Sequence, residues 1–143
     1  MRILIVDDEK SLRETLAAVF VTNGYDVFTA CDGKEALKIY LEKDFDFVLM
    51  DIGMPKIDGI SAFREMIKIN SAHKRTGNPH IVLMTGDVVK LEAAKKGGAK
   101  VIGKPFDVEK VVAMFSELKI ENKIGSSRFC VGKNSIFNVI KSC

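Results

Sequence analysis

Four apolar runs in this 143-residue chain end in residues that suit phosphoryl chemistry. Ile3-Leu4-Ile5-Val6 runs straight into Asp7-Asp8, and Phe47-Val48-Leu49-Met50 into Asp51. Ile81-Val82-Leu83-Met84 leads to Thr85, and Val101-Ile102-Gly103 leads to Lys104-Pro105. An acid pair, a single acid, a hydroxyl and a lysine at successive strand ends are the parts of a metal-assisted phosphoryl site. In an open α/β sheet, ligands bind at the carboxyl edge of the strands, where these residues would stand.

The elements that must position them alternate. Apolar runs alternate with helical patterns, which predicts βαβ units and a parallel sheet. Strands are expected at about 3–6, 26–29, 47–50, 81–84 and 101–102. The first helix is expected to start at Ser11 as N-cap, with Glu14 closing a capping box. Its apolar face is Leu12, Leu16, Val19 and Phe20, and Asn23-Gly24 ends it. Further helices are expected at about 34–42, 60–69, 89–96 and 108–120, the last burying Val111, Val112, Met114, Phe115 and Leu118. Asp32-Gly33 reads as a turn, Gly53–Gly59 as a loop, and Asn70–Pro79 as a longer surface loop. The fold class that follows is α/β: a doubly wound three-layer sandwich, with right-handed crossovers placing every strand's C-terminus at one edge.

Composition bounds the rest. Hydrophobic residues make up 47% and charged residues 29%, as in ordinary soluble domains. No apolar run approaches the ~20 residues needed to span a bilayer. The opening Met1-Arg2-Ile3 enters a strand at once, so no signal peptide and a cytoplasmic location are expected. Cys31, Cys130 and Cys143 have no CxxC pairing, so they read as free thiols rather than a zinc site or disulfide framework. His73 and His80 lie in a loop-like stretch and read as no metal site. Residues 1–87 carry 11 basic and 14 acidic side chains, and residues 88–143 carry 11 and 5. The basic second half reads as a solvated surface or one that faces an acidic partner.

Five separated motifs stand in order on the expected element ends: Asp7-Asp8; Asp51 with Met54-Pro55 and Asp58-Gly59; Thr85-Gly86; Gly98-Ala99; and Lys104-Pro105-Phe106. Together they resemble the receiver domain of two-component response regulators, over about residues 1–120. The resemblance implies a five-stranded parallel sheet of order 2-1-3-4-5 flanked by five helices. Asp51 is then the candidate phosphoacceptor: a carboxylate can attack phosphorus and form an acyl phosphate. With an ordinary pKa near ~3.9 it is ionised at neutral pH and needs no general base. A divalent cation would relieve its repulsion from an anionic phosphoryl group. Asp7, Asp8 and Asp51 offer hard oxygens, which select Mg²⁺ or Mn²⁺ over zinc. The resemblance implies that Asp8 and Asp51 bind the metal directly, Asp7 mainly through water, and Gly53 through its backbone carbonyl. Lys104 and Thr85 would stabilise phosphoryl oxygens, and the Lys104–Pro105 bond would be cis.

As rate-tuning positions the resemblance implies Gly53 and Asp87, two residues after Asp51 and Thr85. The chain departs from the pattern in two places. Val101 occupies the position of the family's switch aromatic. Lys104 follows Thr85 by 19 residues, about three fewer than the family pattern, with the loss around helix four. The expectation is a face built from helix four, strand five and helix five that signals without an aromatic switch.

The implied partners are a histidine kinase or phosphotransfer protein and a downstream protein target or a lost or absent output domain. A phosphorylation-dependent dimer is within the family's range, and no nucleic-acid or membrane binding is expected. Residues 121–143 fall outside the resemblance. Gly125-Ser126-Ser127 reads as a linker, and the stretch from Phe129 loosely resembles the opening of the ATPase domain in nitrogen-regulator-type sigma-54 activators. It lacks a Walker A motif, so the tail is expected to be a linker, a remnant of a following domain, or a short helix.

Taken singly, each motif also has a plain structural reading: Asp7-Asp8 and Asp51 as turn acids, Thr85-Gly86-Asp87 as a helix cap. Other functional readings stand beside the receiver. A haloacid-dehalogenase-type phosphatase wants Asp-x-Asp at its first strand end, whereas here the acids are adjacent. A flavin site wants a phosphate-cradling loop where acids stand. A degenerate, phosphorylation-independent interaction module is the remaining alternative.

Overall fold

The computed structural model describes residues 1–73 and 78–124, with side chains as far as Ile120. The chain divides into two compact units, Met1–Pro105 and Phe106–Cys143. The first contains β1 (Arg2–Val6), α1 (Lys10–Thr22), β2 (Asp26–Ala30), α2 (Gly33–Glu42), β3 (Phe47–Asp51), α3 (Gly59–His73), β4 (His80–Thr85), α4 (Val88–Lys96) and β5 (Lys100–Gly103). The strands form one sheet in the order β2-β1-β3-β4-β5, with every pairing parallel. The register sets Val6 beside Met50, Asp51 beside Met84 and Thr85 beside Gly103. All five strands therefore finish at one edge.

β1, β3 and β4 are almost wholly buried, which is why their sequences are continuous apolar runs rather than alternating ones. Successive side chains still point to opposite faces. Leu4, Val6, Val48, Met50, Leu83 and Val101 share one core with Ala36 and Tyr40 of α2, Ala62 and Met66 of α3, and Ala94 of α4. Ile3, Ile5, Phe47 and Leu49 alternate with these and are fully buried on the other face. There α1 supplies Leu16 and Phe20; the Phe20 ring meets Tyr25 edge-on at 5.2 Å, and Tyr25 meets Phe47 at 6.1 Å. Three layers result, as the alternation of elements predicts.

Two expectations about helix ends are corrected. Ser11 is not the N-cap of α1. The helix begins at Lys10 with Glu9 as cap residue, without a side-chain cap bond. The reason is local: Asp7 Oδ1 accepts the Glu9 N–H at 2.8 Å and turns the chain early, while Ser11 Oγ donates to Glu9. α3 also runs past Ile69 to His73, so Asn70–His73 is helix rather than loop. Asn70 is buried, and its Oδ1 accepts the Tyr40 hydroxyl at 2.7 Å, which satisfies a polar side chain inside the packed layer.

α4 is thinly attached. Ala94 is its one buried residue, and Val88 and Val89 at its start are among the most exposed apolar side chains described. Its N-terminus is held by Asp87, whose carboxylate accepts the N–H groups of Val89 and Lys90 at 2.9 and 3.2 Å.

The described part of the second unit is α5 (Val108–Ile124), four residues longer than the sequence pattern suggests. Asp107 opens it by accepting the Glu109 N–H at 2.9 Å. Val111, Val112, Phe115 and Leu118 are buried as expected, and Met114 is half-buried. The tail readings from Gly125 onward, with Cys130 and Cys143, lie outside the described residues, as do the middle four residues of the expected 70–79 loop.

Candidate active site

Asp51 is the last residue of β3 and Thr85 the last of β4, while Asp7-Asp8 and Lys104 follow β1 and β5 directly. Because these strands are parallel neighbours, the four segments converge at one edge. One carboxylate oxygen from each of Asp7, Asp8 and Asp51 lies within 4.8 Å of the others. Asp7 is fully buried, Asp51 is 6% exposed, and Asp8 faces solvent. Lys104 reaches in across them, its Nζ 2.8 Å from Asp7 Oδ2 and 3.2 Å from Asp51 Oδ1. The Lys104–Pro105 bond is cis, as the resemblance implies. The Lys104 N–H donates to the Thr85 carbonyl at 2.7 Å, fixing the two strand ends together.

Three carboxylates around one ammonium leave the cluster with excess negative charge. Burial pushes the Asp51 pKa above the ordinary carboxylate value; the nearby Lys104 charge opposes the rise, and the Asp7 charge adds to it more weakly. This qualifies the expectation of an ordinary Asp51. For Lys104, burial alone would lower the pKa, but the Asp7 hydrogen bond and the charges of Asp51 and Asp7 outweigh it and hold the ammonium above its usual range. Three carboxylates drawn together against a single ammonium are suited to a small divalent cation. The donor set agrees: three close oxygens, one facing solvent where a hydrated ion enters.

The remaining predicted residues fall as follows. Gly53 follows Asp51 by two and lies alongside it; a Cβ there would sit 3.7 Å from Asp51 Oδ2. Thr85 is buried, and its Oγ1 accepts the Asp87 N–H at 3.1 Å, leaving its own hydrogen to donate. The Asp87 carboxylate is engaged in capping α4. Val101 is buried in the core beside Leu83 in the β4–β5 register, behind the edge rather than at it. Gly59 permits the tight return of the chain past the acceptor, since a Cβ there would strike the backbone of Asp51 and Ile52.

Sequence reasoning missed two supports. Arg13 donates from its guanidinium to the Asp7 carbonyl at 2.6 Å, tying α1 to the acid pair. The signal was present: a basic residue one helical turn into α1 reaches back to the strand end. Lys56 forms an ion pair with Asp32 at 2.7 Å, which no local pattern announces.

Comparison with known proteins decides the family. The family model described as the response regulator receiver domain matches residues 3–116. This chain belongs to the response regulator receiver domain family. Chemotaxis protein CheY of Thermotoga maritima is 36% identical over 121 residues, covering 82% of this chain and 96% of that protein. Regulatory protein AtoC of Escherichia coli is 38% identical over 113 residues, covering 77% of this chain but 23% of AtoC. Among solved structures, the response regulator TrrA of Thermotoga maritima, in complex with Mg²⁺ and BeF, superposes with a TM-score of 0.69 at 31% identity. That match covers 82% of this chain and 97% of TrrA. The chain spans half or less of several other curated relatives, 45% and 50% in two cases. It is a two-component receiver with the fold of that family, and its acidic edge groups three aspartates whose oxygens could hold a metal ion. Among the described residues, no helix is long and apolar enough to cross a membrane.

Proposed function

We propose that this receiver takes a phosphoryl group on Asp51 from a phosphohistidine of a histidine kinase or phosphotransfer protein. The observation that carries the reading is the convergence of Asp7, Asp8, Asp51 and Lys104, with Lys104 Nζ bridging Asp7 and Asp51 at 2.8 and 3.2 Å. An Asp51 carboxylate oxygen attacks phosphorus. An O–P bond forms, the P–N bond breaks, and its electron pair returns to the imidazole, which keeps a proton. Lys104 is placed to shift from the Asp51 carboxylate to an oxygen of the arriving group, and the free hydroxyl hydrogen of Thr85 to donate to another. Asp7, Asp8, Asp51 and the Gly53 carbonyl would hold the divalent cation, Mg²⁺ or Mn²⁺, which supplies charge neutralisation for the transferring group. Arg13, through the Asp7 carbonyl, keeps the acid pair in place.

The added charge of about −1.5 to −2 biases the edge toward a second arrangement. With Val101 in place of an aromatic, the readout runs through Thr85, the Asp87-capped start of α4 and β5. The signal then passes by protein contact, in the cytoplasm, to a target, a second copy or an output domain; no direct nucleic-acid contact is proposed. Residues 1–120 would form the receiver proper and 121–143 a tail or linker.

The test is intact mass after incubation with acetyl phosphate, with and without Mg²⁺, for the wild type and Asp51→Asn. A metal-dependent gain of one phosphoryl group that Asp51→Asn loses is expected. No gain in the wild type overturns the reading in favour of a phosphorylation-independent module.

A further inference from the structure

Lys56 is the one non-glycine residue with positive φ among the described residues, at 68°. L-residues adopt that conformation only against steric resistance. Its side chain crosses to another loop. Lys56 Nζ donates to Asp32 Oδ2 at 2.7 Å, while Asp32 Oδ1 accepts the Glu35 N–H at 2.9 Å as the N-cap of α2. The Lys56 side chain is two-thirds exposed, but the Asp32 carboxylate is almost covered. One residue on, the Ile57 carbonyl presses against Gly33, where a Cβ would approach it to 2.6 Å. At its far end the segment is closed by the Gly59 N–H donating to the Ile52 carbonyl at 3.1 Å. The loop from Gly53 to Asp58 is thus fixed at three points, and the loop is the one that leaves Asp51.

We propose that the Asp32–Lys56 ion pair is a positioning latch. By holding the loop against the start of α2, it sets the Gly53 carbonyl relative to the three carboxylates and thereby sets divalent-cation affinity. Neither partner touches the cation. The inference rests on the metal-binding reading of Asp7, Asp8 and Asp51. A partly exposed ion pair contributes little to global stability, so its loss should register in loop placement rather than in folding. The left-handed backbone at Lys56 points the same way: a glycine would fit there without strain, yet the position carries the side chain that reaches Asp32.

The test uses the full chain and Mn²⁺ as probe, with free ion counted by electron paramagnetic resonance and Mg²⁺ measured by competition. Lys56→Met removes the charge at similar length; Asp32→Asn keeps an oxygen to cap α2 but removes the ion pair. Each is expected to weaken both ions about two- to fivefold, the double variant to be no weaker than either single one, and the EDTA melting midpoint to stay within about 3 °C of wild type. Lys56→Gly, which relaxes the backbone but lacks the ammonium, should weaken binding as Lys56→Met does. Unchanged affinity in both single variants overturns the latch, as does a loss of affinity matched by a large drop in the metal-free midpoint. A wild type that binds neither ion refutes the metal-site reading itself, an outcome distinct from failure of the latch.

Discussion

Lys104→Met is the most informative single perturbation of the edge. The ammonium sits 2.8 Å from a fully buried carboxylate and 3.2 Å from a nearly buried one. With an effective dielectric constant of about 20, the gross attractions are about 6 and 5 kcal/mol. Desolvation of all three groups offsets most of that. Removing one partner of a buried pair costs about 3–5 kcal/mol, because the other charge is left uncompensated. Lys104 is 22% exposed and Asp7 retains the Glu9 N–H, so a lower net cost, about 2–4 kcal/mol, is expected without metal. For a chain of this size that corresponds to a fall in melting midpoint of roughly 8–16 °C. Methionine keeps the length and apolar stem, so the loss reports charge. The assay is urea unfolding followed by far-ultraviolet circular dichroism, since the chain has no tryptophan and two tyrosines. It is run in EDTA and in 10 mM Mg²⁺. A cation among the carboxylates replaces part of the missing charge, so the variant should regain more stability from Mg²⁺ than the wild type does. A cost below about 0.5 kcal/mol in EDTA, or an equal Mg²⁺ gain in both proteins, would refute the account of a charge-frustrated edge.

Two further outcomes follow from the loop beyond Asp51. Asp58 accepts the N–H groups of Ile60 and Ser61 and the Ser61 hydroxyl at the start of α3, and the Ser61 backbone bond above all holds its pKa below the ordinary value. A depressed carboxylate stabilises the fold above its unfolded pKa and loses that effect as pH falls through the folded one. Asp58→Ala should therefore cost about 0.5–2 kcal/mol at pH 7, with the difference fading below about pH 4, as measured by urea midpoints across pH. Gly59→Ala drives a Cβ into the Asp51 and Ile52 backbone. It should cost about 1–3 kcal/mol and also slow acetyl-phosphate labelling, because relief of the clash displaces the acceptor itself; normal labelling at wild-type stability would contradict the geometry.

The edge was legible in the sequence because its chemistry sits on strand ends, where an apolar run stops at a polar residue that a parallel sheet must bring to one side. Asp51 and Thr85 needed no tertiary knowledge beyond that. Asn70 shows the opposite case. A polar residue read as the start of a loop is helical because Tyr40, thirty positions away, satisfies it inside the packed layer. The start of α1 failed for a similar reason: Ser11 has the right type for a cap, but Asp7 turns the chain two residues sooner. The raised pKa of Asp51 was hidden because burial and the Asp7 charge belong to the folded site rather than to the residue. The Asp32–Lys56 pair joins positions 24 apart through a backbone conformation that lysine sequences do not advertise.

α4 keeps one buried residue, Ala94, sets half-buried Leu91 against the same core, and is capped at its start by Asp87. Such an element is the natural place for length variation. Residues lost from it remove little apolar burial and leave the register of β4 with β5 intact, so Thr85 still meets Gly103 and Lys104 still reaches the acids. Lys104 follows Thr85 by only 19 residues, and α4 lies within that stretch. The scaffold therefore divides its mechanical tolerance: a shift at the carboxyl edge moves charged groups held within 3.2 Å of one another, whereas a change on the exposed turns of α4 displaces little buried surface.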